Sequence, residues 1–565
     1  MLEQGYIDQA KYEEALNDDV YSRIQAAQAE TSSSRNKVYT YFEDELTDQI
    51  INDLMNIKGY TKAQARNLLY SGGLKIMTTQ DPNIQKILDE EYSNPENYPA
   101  NTQYALDYAL TVTNPEGNEV NYSKEMLKLF FQNEDPEFDL LFDSQEEAQS
   151  YVDRYKQSVL ADGSKVVAER VNFAPQPQSS MSVIDQHTGY VKAIVGGRGE
   201  KTASLTLNRA TDTTRQPGST FKVVSTYAPA LNEKGMTLAT TFEDEPYNYP
   251  DGSPVENASR TYGGTTTIRR AIQNSINVVA VKCLEEVTPE LGLQYLDNFG
   301  FTTLAHGTEA DTDANGTVWT DANLPLALGG LTHGVTNVEL CAAYAAIANQ
   351  GNYIEPLYYT KILDHNGNVL IEKTSAERSV IKESTAWLLT SAMEDVVKSG
   401  SGTACQLDNM TVAGKTGTTD DYNDLWFVGY TPYYTCAVWS GFDNNEKLPD
   451  DYSRDFHKDM WRKVMTRIHE GLDDKDFEMP STVEKISVCA DTGLLPRSGC
   501  SVITEFFDVG DVPTDYCEEH FYEPVIPEYT YEETIIPEPS LTPENPDGNG
   551  NQGDGNSDNG GDTGG

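Results

Sequence analysis

The chain has 565 residues, enough for about three or four domains of ordinary size, and it is strongly acidic. Its 41 Lys and Arg residues are outnumbered by 89 Asp and Glu residues, which gives a net charge of −48. The sequence has no basic stripe to offset this charge, so nucleic acid is excluded as the main partner. No stretch approaches the ~18 consecutive apolar residues of a membrane span, and no signal-peptide pattern follows Met1.

The first 178 residues show mostly helical patterns with one strand-like run between them. Thr61 is placed to cap a helix that ends at Gly72-Gly73. Residues 90–178 alternate polar loops with helical pieces, contain no recognisable chemical motif, and are predicted to form an inserted lobe. The predicted elements are a short helix pair at 1–18, helices within 38–69, a strand at 74–79, and helices at Lys124–Phe131 and Gln145–Leu160.

The pattern changes at Met181, where two β-rich runs are joined by a Gln-His-Thr-Gly turn. A second pair of apolar runs lies near residues 425–439, and helical stretches fill the sequence between the two pairs. Strands at both ends with helices between them predict an α+β domain whose first and last strands share one antiparallel sheet. The predicted elements are strands at Met181–Asp185, Tyr190–Val195, Leu425–Gly429 and Thr435–Trp439, and helices at Phe221–Leu231, Ile268–Glu286 and Asn337–Asn349.

The end of the chain has two distinctive compositions. From about Glu523 onward Pro, Glu, Gly, Asn and Asp dominate, which predicts a disordered acidic tail. Before it, Cys489, Cys500 and Cys517 cluster along the sequence, with His520 close behind. One disulfide plus a free thiol is the favoured interpretation. A Cys3His zinc site is the alternative, disfavoured because the gaps are wide and irregular, so no metal or cofactor is predicted. Four further cysteines have apolar neighbours and are predicted to be buried thiols: Cys283, Cys341, Cys405 and Cys436.

The first motif that carries chemistry is Ser219-Thr-Phe-Lys222, which follows a Pro217-Gly218 turn and opens an apolar helix. Free backbone N–H groups and the helix dipole at such a position favour developing negative charge. A serine needs an adjacent base to act as a nucleophile, and a lysine three residues on serves only if its pKa is lowered. The S-x-x-K pattern alone is weak, since Ser34–Lys37 and Ser379–Lys382 also match it and are interpreted as surface coincidences.

Two further motifs follow. Ser275-Ile-Asn277 could relay a proton and hold a substrate amide, although alone it would be interpreted as a helix-capping pair. Lys415-Thr416-Gly417-Thr418 precedes an apolar hairpin and supplies a cation and hydroxyls for a substrate carboxylate, with small residues that admit a ligand backbone. The order S-x-x-K, S-x-N, K-T-G is far more specific than any one of its members.

This motif set resembles that of β-lactamases and penicillin-binding proteins, and the sequence most resembles the transpeptidase portion of the class A, bifunctional penicillin-binding proteins. The resemblance extends over about residues 1–520 and is strongest over 180–445; it also includes the stretches Tyr70–Pro82, Val183–Val191, Asn208–Ala210 and Leu326–Thr336. It implies a serine β-lactamase/penicillin-binding transpeptidase-like α+β fold. The implied divisions are a remnant end of a glycosyltransferase domain at 1–20, a linker at 21–89, the inserted lobe at 90–178, the transpeptidase domain at 179–445, a C-terminal extension at 446–522 and the tail at 523–565.

The resemblance also implies roles for the motif residues. Ser219 would be the nucleophile toward the D-Ala-D-Ala carbonyl of a peptidoglycan stem peptide, Lys222 its general base, and Ser275 the relay to the departing D-alanine. The substrate would be held by Asn277, Lys415, Thr416, Gly417 and Thr418. The backbone N–H groups of Ser219 and Thr418 would form the oxyanion hole. Implied partners are donor and acceptor stem peptides, β-lactam antibiotics and cell-wall machinery proteins.

The sequence departs from the class A pattern at its beginning. The catalytic motifs of the glycosyltransferase domain are absent, so the chain is interpreted as a fragment or truncated gene product without that activity. With an anchor upstream, the site would work on the outer, cell-wall side of the bacterial membrane.

Two rivals remain. A serine β-lactamase of class A would need an E-x-x-L-N segment, which is missing between Ser275 and Lys415. A non-catalytic β-lactam sensor would carry membrane helices and a protease domain, which are also missing.

Overall fold

The structure is a computed structural model that describes residues 38–419 and 422–520. The predictions for the helix pair at 1–18, the glycosyltransferase remnant at 1–20 and the tail at 523–565 fall outside these residues. Within the described part, no helix combines the length and the apolar composition needed to cross a membrane.

The described chain begins with two capped helices that lead into the main body. Thr40 and Glu43 form a capping box at the start of the first helix, and Thr61 and Gln64 form one at the start of the second. The predicted cap at Thr61 is therefore confirmed, as is the break after the second helix. The elements are α1 (Tyr41–Lys58), α2 (Lys62–Ser71), β1 (Lys75–Thr78) and α3 (Pro82–Ser93).

The predicted inserted lobe is built on its own sheet and has its own core. Apolar residues alternate along the long first strand of the lobe and pack against two amphipathic helices, so Leu106, Tyr108 and Leu110 are buried together with Phe131 and Val152. Both helices predicted here are confirmed within a residue of their ends. The elements are β2 (Gln103–Thr113), β3 (Glu119–Ser123), α4 (Lys124–Gln132), β4 (Leu141–Phe142), α5 (Gln145–Val159) and β5 (Lys165–Gln176).

The main body is organised around a five-stranded antiparallel sheet. It begins with β6 (Gln178–Asp185) and β7 (Tyr190–Val195), which form the predicted hairpin. The strand order is β16-β17-β18-β6-β7, in which β16 (Ala413–Thr418), β17 (Asp424–Tyr430) and β18 (Thr435–Gly441) come from the far end of the domain. The pairing of β18 with β6 confirms that the first and last strands share one sheet. The Lys-Thr-Gly motif therefore lies on an edge strand.

Helices cover both faces of this sheet, which explains why its strands are apolar on both sides. One face packs in a core with the central helices, and the other packs with α3 and the last helix. The helices are α6 (Ala228–Asn232), α7 (Ile268–Asn274), α8 (Asn277–Val287), α9 (Pro289–Asn298), α10 (Asn337–Ala348), α11 (Glu383–Ser399) and α12 (Phe456–Ile468). The remaining strands are β8 (Thr241–Asp244), β9 (Tyr247–Asn248), β10 (Pro254–Val255), β11 (Gly264–Thr267), β12 (Asn352–Ile354), β13 (Tyr359–Leu363), β14 (Val369–Glu372), β15 (Glu377–Ser379), β19 (Val483–Cys489) and β20 (Val502–Asp508).

A buried ion pair fixes the segment before the S-x-x-K motif to the sheet. Arg215 Nε donates to Asp424 Oδ1 at 2.7 Å, and the Trp439 indole donates to the same oxygen at 2.9 Å. We expect Asp424→Ala to lower the free energy of unfolding by about 3 kcal/mol, because it leaves a buried guanidinium without its carboxylate. Urea denaturation measures this. Glu134→Ala, which breaks an exposed pair with Arg154, is the control and should cost under about 1 kcal/mol; equal losses would contradict the prediction.

Candidate active site

Ser219 lies in a single 3-10 turn, Gly218–Thr220, that leads directly into a helical segment. Its side chain is half-buried, at the helix start that the sequence predicts. Gly218 has a φ of +55°, and a Cβ there would lie 2.8 Å from the carbonyl oxygen of Thr418. Only glycine allows this approach, so the turn that carries Ser219 lies directly against the backbone of β16.

Lys222 begins the segment that follows, a π-helix that continues to Tyr227. Such wide turns occur often at functional sites. The side chain is fully buried, and Nζ donates to the carbonyl oxygen of Ser275 at 2.6 Å and to Asn277 Oδ1 at 2.5 Å. Burial, and after it the charge of nearby Lys415, hold the pKa of Lys222 well below its usual range. These are the conditions that a lysine needs to act as a base.

The S-x-N motif lies at a break between two helices, which corrects the predicted single helix Ile268–Glu286. Ser275 adopts a left-handed conformation with φ of +58°, which ends α7, and α8 begins at Asn277. The side-chain oxygen of Asn257 accepts hydrogen bonds from the backbone N–H groups of Asn277 and Val278 and so supports the new helix start. The break turns the Ser275 hydroxyl and the Asn277 amide toward Lys222.

Lys415 reaches the same hydroxyl from the edge strand. Its Nζ donates to Ser275 Oγ at 2.8 Å, while Lys222 Nζ lies 3.3 Å from that oxygen. Burial lowers the pKa of Lys415 to about 7. Ser275 therefore bridges two amines whose pKa values are both lowered by burial.

The rest of the Lys-Thr-Gly-Thr stretch is packed closely on the Ser219 turn. A Cβ at Gly417 would lie 2.5 Å from the carbonyl oxygen of Pro217, so glycine is required for this contact. The Thr416 hydroxyl lies 2.7 Å from Ser401 Oγ, and Thr418 is exposed at the end of β16. The structure thus brings all three motifs together, although within the described residues the hydrogen bonds of Lys222 Nζ are with Ser275 and Asn277 rather than with Ser219.

Several residues that support this site were not singled out from the sequence. Gln216 exchanges two hydrogen bonds with the backbone of Leu331, at 2.7 and 2.9 Å, and a Cβ at Gly329 would lie 2.5 Å from the carbonyl oxygen of Gly218. Asn257 supports the start of α8, and the Ser401 hydroxyl contacts the hydroxyl of Thr416. Gly329 and Leu331 belong to the Leu326–Thr336 stretch that contributed to the resemblance, and Gln216 directly precedes the Pro217-Gly218 turn. Asn257 and Ser401 lie in none of the stretches that carried the resemblance.

The cysteines correct one prediction and confirm another. All seven are free thiols, so the favoured disulfide is not formed. Instead, ligand atoms of Cys489, Cys500, Cys517 and His520 lie within 4.8 Å of one another, an arrangement that the irregular sequence spacing led us to disfavour. The four other cysteines are buried, as predicted.

Comparison with known families identifies the domain that holds this site. Residues 180–466 match the model of the penicillin binding protein transpeptidase domain, which is half of the chain. The chain belongs to the penicillin-binding protein transpeptidase family. Residues 479–522 also match the C-terminal domain of penicillin-binding protein 1A.

Individual relatives agree with this family. Penicillin-binding protein 1A of Clostridium botulinum (strain Langeland) is 30% identical over 539 residues, which are 92% of this chain and 55% of the relative. Penicillin-binding protein 1A/1B of Bacillus subtilis is 30% identical over 61% of this chain and 38% of its own length. The chain thus spans 55% of the length of the first of these relatives and 38% of the second.

Solved structures show the same fold. Penicillin-binding protein 1A of Haemophilus influenzae has a TM-score of 0.58 at 18% identity and covers 92% of this chain and 81% of its own. The PonA1 protein of Mycobacterium tuberculosis, solved in complex with penicillin V, has a TM-score of 0.54 at 20% identity and covers 77% of this chain and 96% of its own. The predicted penicillin-binding transpeptidase fold, α+β with an antiparallel sheet, is confirmed.

Proposed function

We propose that the chain is a serine D,D-transpeptidase that cross-links peptidoglycan stem peptides through an acyl-serine intermediate. The observation that carries this proposal is the pair of buried amines, Lys222 and Lys415, on either side of the Ser275 hydroxyl and next to the turn of Ser219. A nucleophilic serine needs a base with a lowered pKa, and a departing amine needs a proton donor. Both needs are met within this one cluster.

In the proposed acylation, Ser219 Oγ attacks the carbonyl carbon between the two terminal D-alanines. Neutral Lys222 takes the hydroxyl proton, the C–N bond breaks, and the proton reaches the leaving D-alanine amine through Ser275. The backbone N–H groups of Ser219 and Thr418 form the oxyanion hole, which the close approach of Gly218 to Thr418 supports. One such donor typically lowers the barrier by about 3 kcal/mol.

The same residues are suited to hold the substrate. Lys415, Thr416 and Thr418 bind the terminal carboxylate, and Gly417 keeps the strand close to the nucleophile. The Asn277 amide nitrogen donates one hydrogen to the carbonyl oxygen of Glu256 at 2.6 Å, which leaves its second hydrogen for the stem-peptide backbone.

The second half of the reaction decides the product. An amine of a neighbouring stem peptide attacks the acyl-serine and forms the cross-link, whereas water in its place gives D,D-carboxypeptidase activity. A β-lactam acylates the same serine and stays bound. We further propose that the site works on the cell-wall side of the bacterial membrane, held there by an anchor outside this chain, among cell-wall machinery proteins.

A pair of matched peptides tests the proposed substrate. We expect D-alanine release from a stem pentapeptide that ends in D-Ala-D-Ala, and release at least about tenfold slower when the terminal carboxylate is replaced by an amide, because the amide carries no charge for Lys415. Chromatography of the released amino acid measures both rates. Equal rates for the two peptides, or no release from either by protein that penicillin acylates, would contradict the proposed substrate.

The two lysines also predict a bell-shaped pH dependence for acylation by penicillin. The rate should fall on the acid side as Lys222 gains a proton and stops acting as a base. It should fall above about pH 7 as Lys415 loses the charge that binds the carboxylate. Since the charge of Lys415 helps to lower the pKa of Lys222, Lys415→Met should move the acid limb to higher pH. Stopped-flow acylation rates check this, and an unmoved acid limb would contradict the assignment.

A further inference from the structure

The C-terminal hairpin contributes few fully buried apolar side chains of its own. Strands β19 and β20 pair over seven residues each. The small core beside them buries Val488 and Phe507 with Ala239 of the main domain, and Ile486, Ile503 and Val512 are partly buried against it. Small modules of this kind usually depend on a disulfide or a metal. The thiols of the hairpin region are unbridged, so no disulfide supplies this support. Contacts with the main domain, such as the ion pair of Arg269 with Glu505, hold β20, and a metal would in addition tie the two strands and the segment after them to one another.

The region brings four potential metal ligands to one point. Cys489 ends β19, Cys500 precedes β20, and Cys517 and His520 follow β20, so that pairing of the two strands collects residues far apart in sequence. Their ligand atoms all lie within 4.8 Å of one another, and Cys489 and Cys517 are buried. The wide sequence separations between these ligands therefore reflect the length of the hairpin and are compatible with a metal site.

The distances fit a tetrahedral ion. With Zn–S of about 2.3 Å and Zn–N of about 2.0–2.1 Å, a tetrahedral centre places a sulfur and a nitrogen about 3.6 Å apart. His520 Nδ1 lies 3.5 Å from Cys489 Sγ and 3.3 Å from Cys517 Sγ. The ring nitrogen therefore already faces two of the sulfurs at the spacing that a shared metal requires.

Groups around the cluster orient its ligands in the way metal sites require. The other ring nitrogen of His520, Nε2, lies 3.4 Å from a carboxylate oxygen of Asp491, which would fix the tautomer that leaves Nδ1 free to bind. The backbone N–H of Arg497 donates to Cys500 Sγ at 3.3 Å, as suits a thiolate. These contacts make a purely coincidental cluster of thiols a poor explanation.

We propose that Cys489, Cys500, Cys517 and His520 bind one Zn²⁺ ion that stabilises the C-terminal hairpin. Three soft thiolates and an imidazole in a tetrahedron are typical of zinc, and four protein ligands leave no open position, so the site is structural rather than catalytic. When the ion binds, each thiol gives up its proton to solvent, and neither the sulfurs nor the metal change oxidation state. The proposal does not depend on the chemistry at Ser219.

Metal analysis of the whole chain tests this site. The chain, purified without chelator, should contain one zinc ion per molecule by inductively coupled plasma mass spectrometry. The Cys500→Ser variant should lose most of this zinc. The Cys405→Ala variant, which removes a buried thiol elsewhere, should retain it. Co²⁺ exchanged into the unmutated chain should give the intense visible bands of a tetrahedral thiolate site, a readout that does not rely on a variant folding.

Three results would overturn the proposal. The first is zinc content that is the same in Cys500→Ser as in the unmutated chain. The second is a Co²⁺ spectrum without thiolate bands. The third is an intact mass of the unreduced chain that lies two hydrogens below the mass of the chemically reduced chain, because two cluster thiols are then joined in a disulfide.

Discussion

Replacing Ser219 by alanine is expected to abolish covalent labelling by penicillin without unfolding the protein. The side chain is half-buried and occupies a turn whose backbone is fixed by Gly218 and Gln216, so loss of one hydroxyl should leave the packing unchanged. Without Oγ no acyl bond can form. Labelling by a fluorescent penicillin, separated on a denaturing gel, measures the loss, and circular dichroism verifies the fold.

Ser379→Ala is the matched control for this experiment. Ser379 begins the other S-x-x-K sequence within the described residues, but it lies on an exposed strand, and Lys382 is exposed as well. Labelling of this variant should equal that of the unmutated chain. Normal labelling of Ser219→Ala would place the acylated residue elsewhere.

Replacing Lys222 by alanine is expected to slow acylation by about 10²–10⁴-fold, the usual contribution of a positioned general base. The lysine is fully buried and bonded to both Ser275 and Asn277, so no solvent base can take its place. Lys222→Arg should be equally slow, because a guanidinium keeps its proton at any pH used. Stopped-flow measurement of the acylation rate with penicillin gives both values.

Lys382→Ala is the corresponding control and should acylate at the unmutated rate, since this lysine is exposed. An unchanged rate in Lys222→Ala would show that another group acts as base, with Lys415 as the nearest candidate. A rate in Lys222→Arg close to that of the unmutated chain would mean that the positive charge, not proton transfer, is what Lys222 contributes.

Local patterns were sufficient to predict four of the five strands of the central sheet and several helices. The hairpin of β6 and β7 and the pair β17 and β18 appear in the sequence as apolar runs bounded by turn residues. Both faces of the sheet are buried, which made these runs easy to recognise. The cap at Thr61 was predictable because capping depends on residues three positions apart.

The break within the S-x-N region was not predictable from periodicity. Residues 268–286 are apolar at helical spacing on both sides of Ser275, and the interruption arises from a left-handed residue and from Asn257, which is about twenty residues distant. The contact of Gln216 with Leu331 is similarly long-range. Such tertiary contacts override the local preference for helix, and they cannot be detected from the periodicity of a short sequence segment.

The motifs predicted which residues lie together, but not how burial and neighbouring charges shift their pKa values. Ser219–Lys222 and Ser379–Lys382 are equivalent as sequence patterns, and they differ because only the first lysine is buried beside another cation. The cysteine cluster shows the same limit, because strand pairing, not spacing, brings its members together. The domain divisions inferred from the sequence remain predictions.

Time-resolved intact-protein mass spectrometry with penicillin tests most directly whether Ser219 forms a long-lived acyl-enzyme. We predict a single adduct that persists for hours and maps by peptide digestion to the segment containing Ser219. A transient adduct with rapid antibiotic turnover would indicate a β-lactamase instead. A folded protein without an adduct, or one acylated at another residue, would contradict the proposed site.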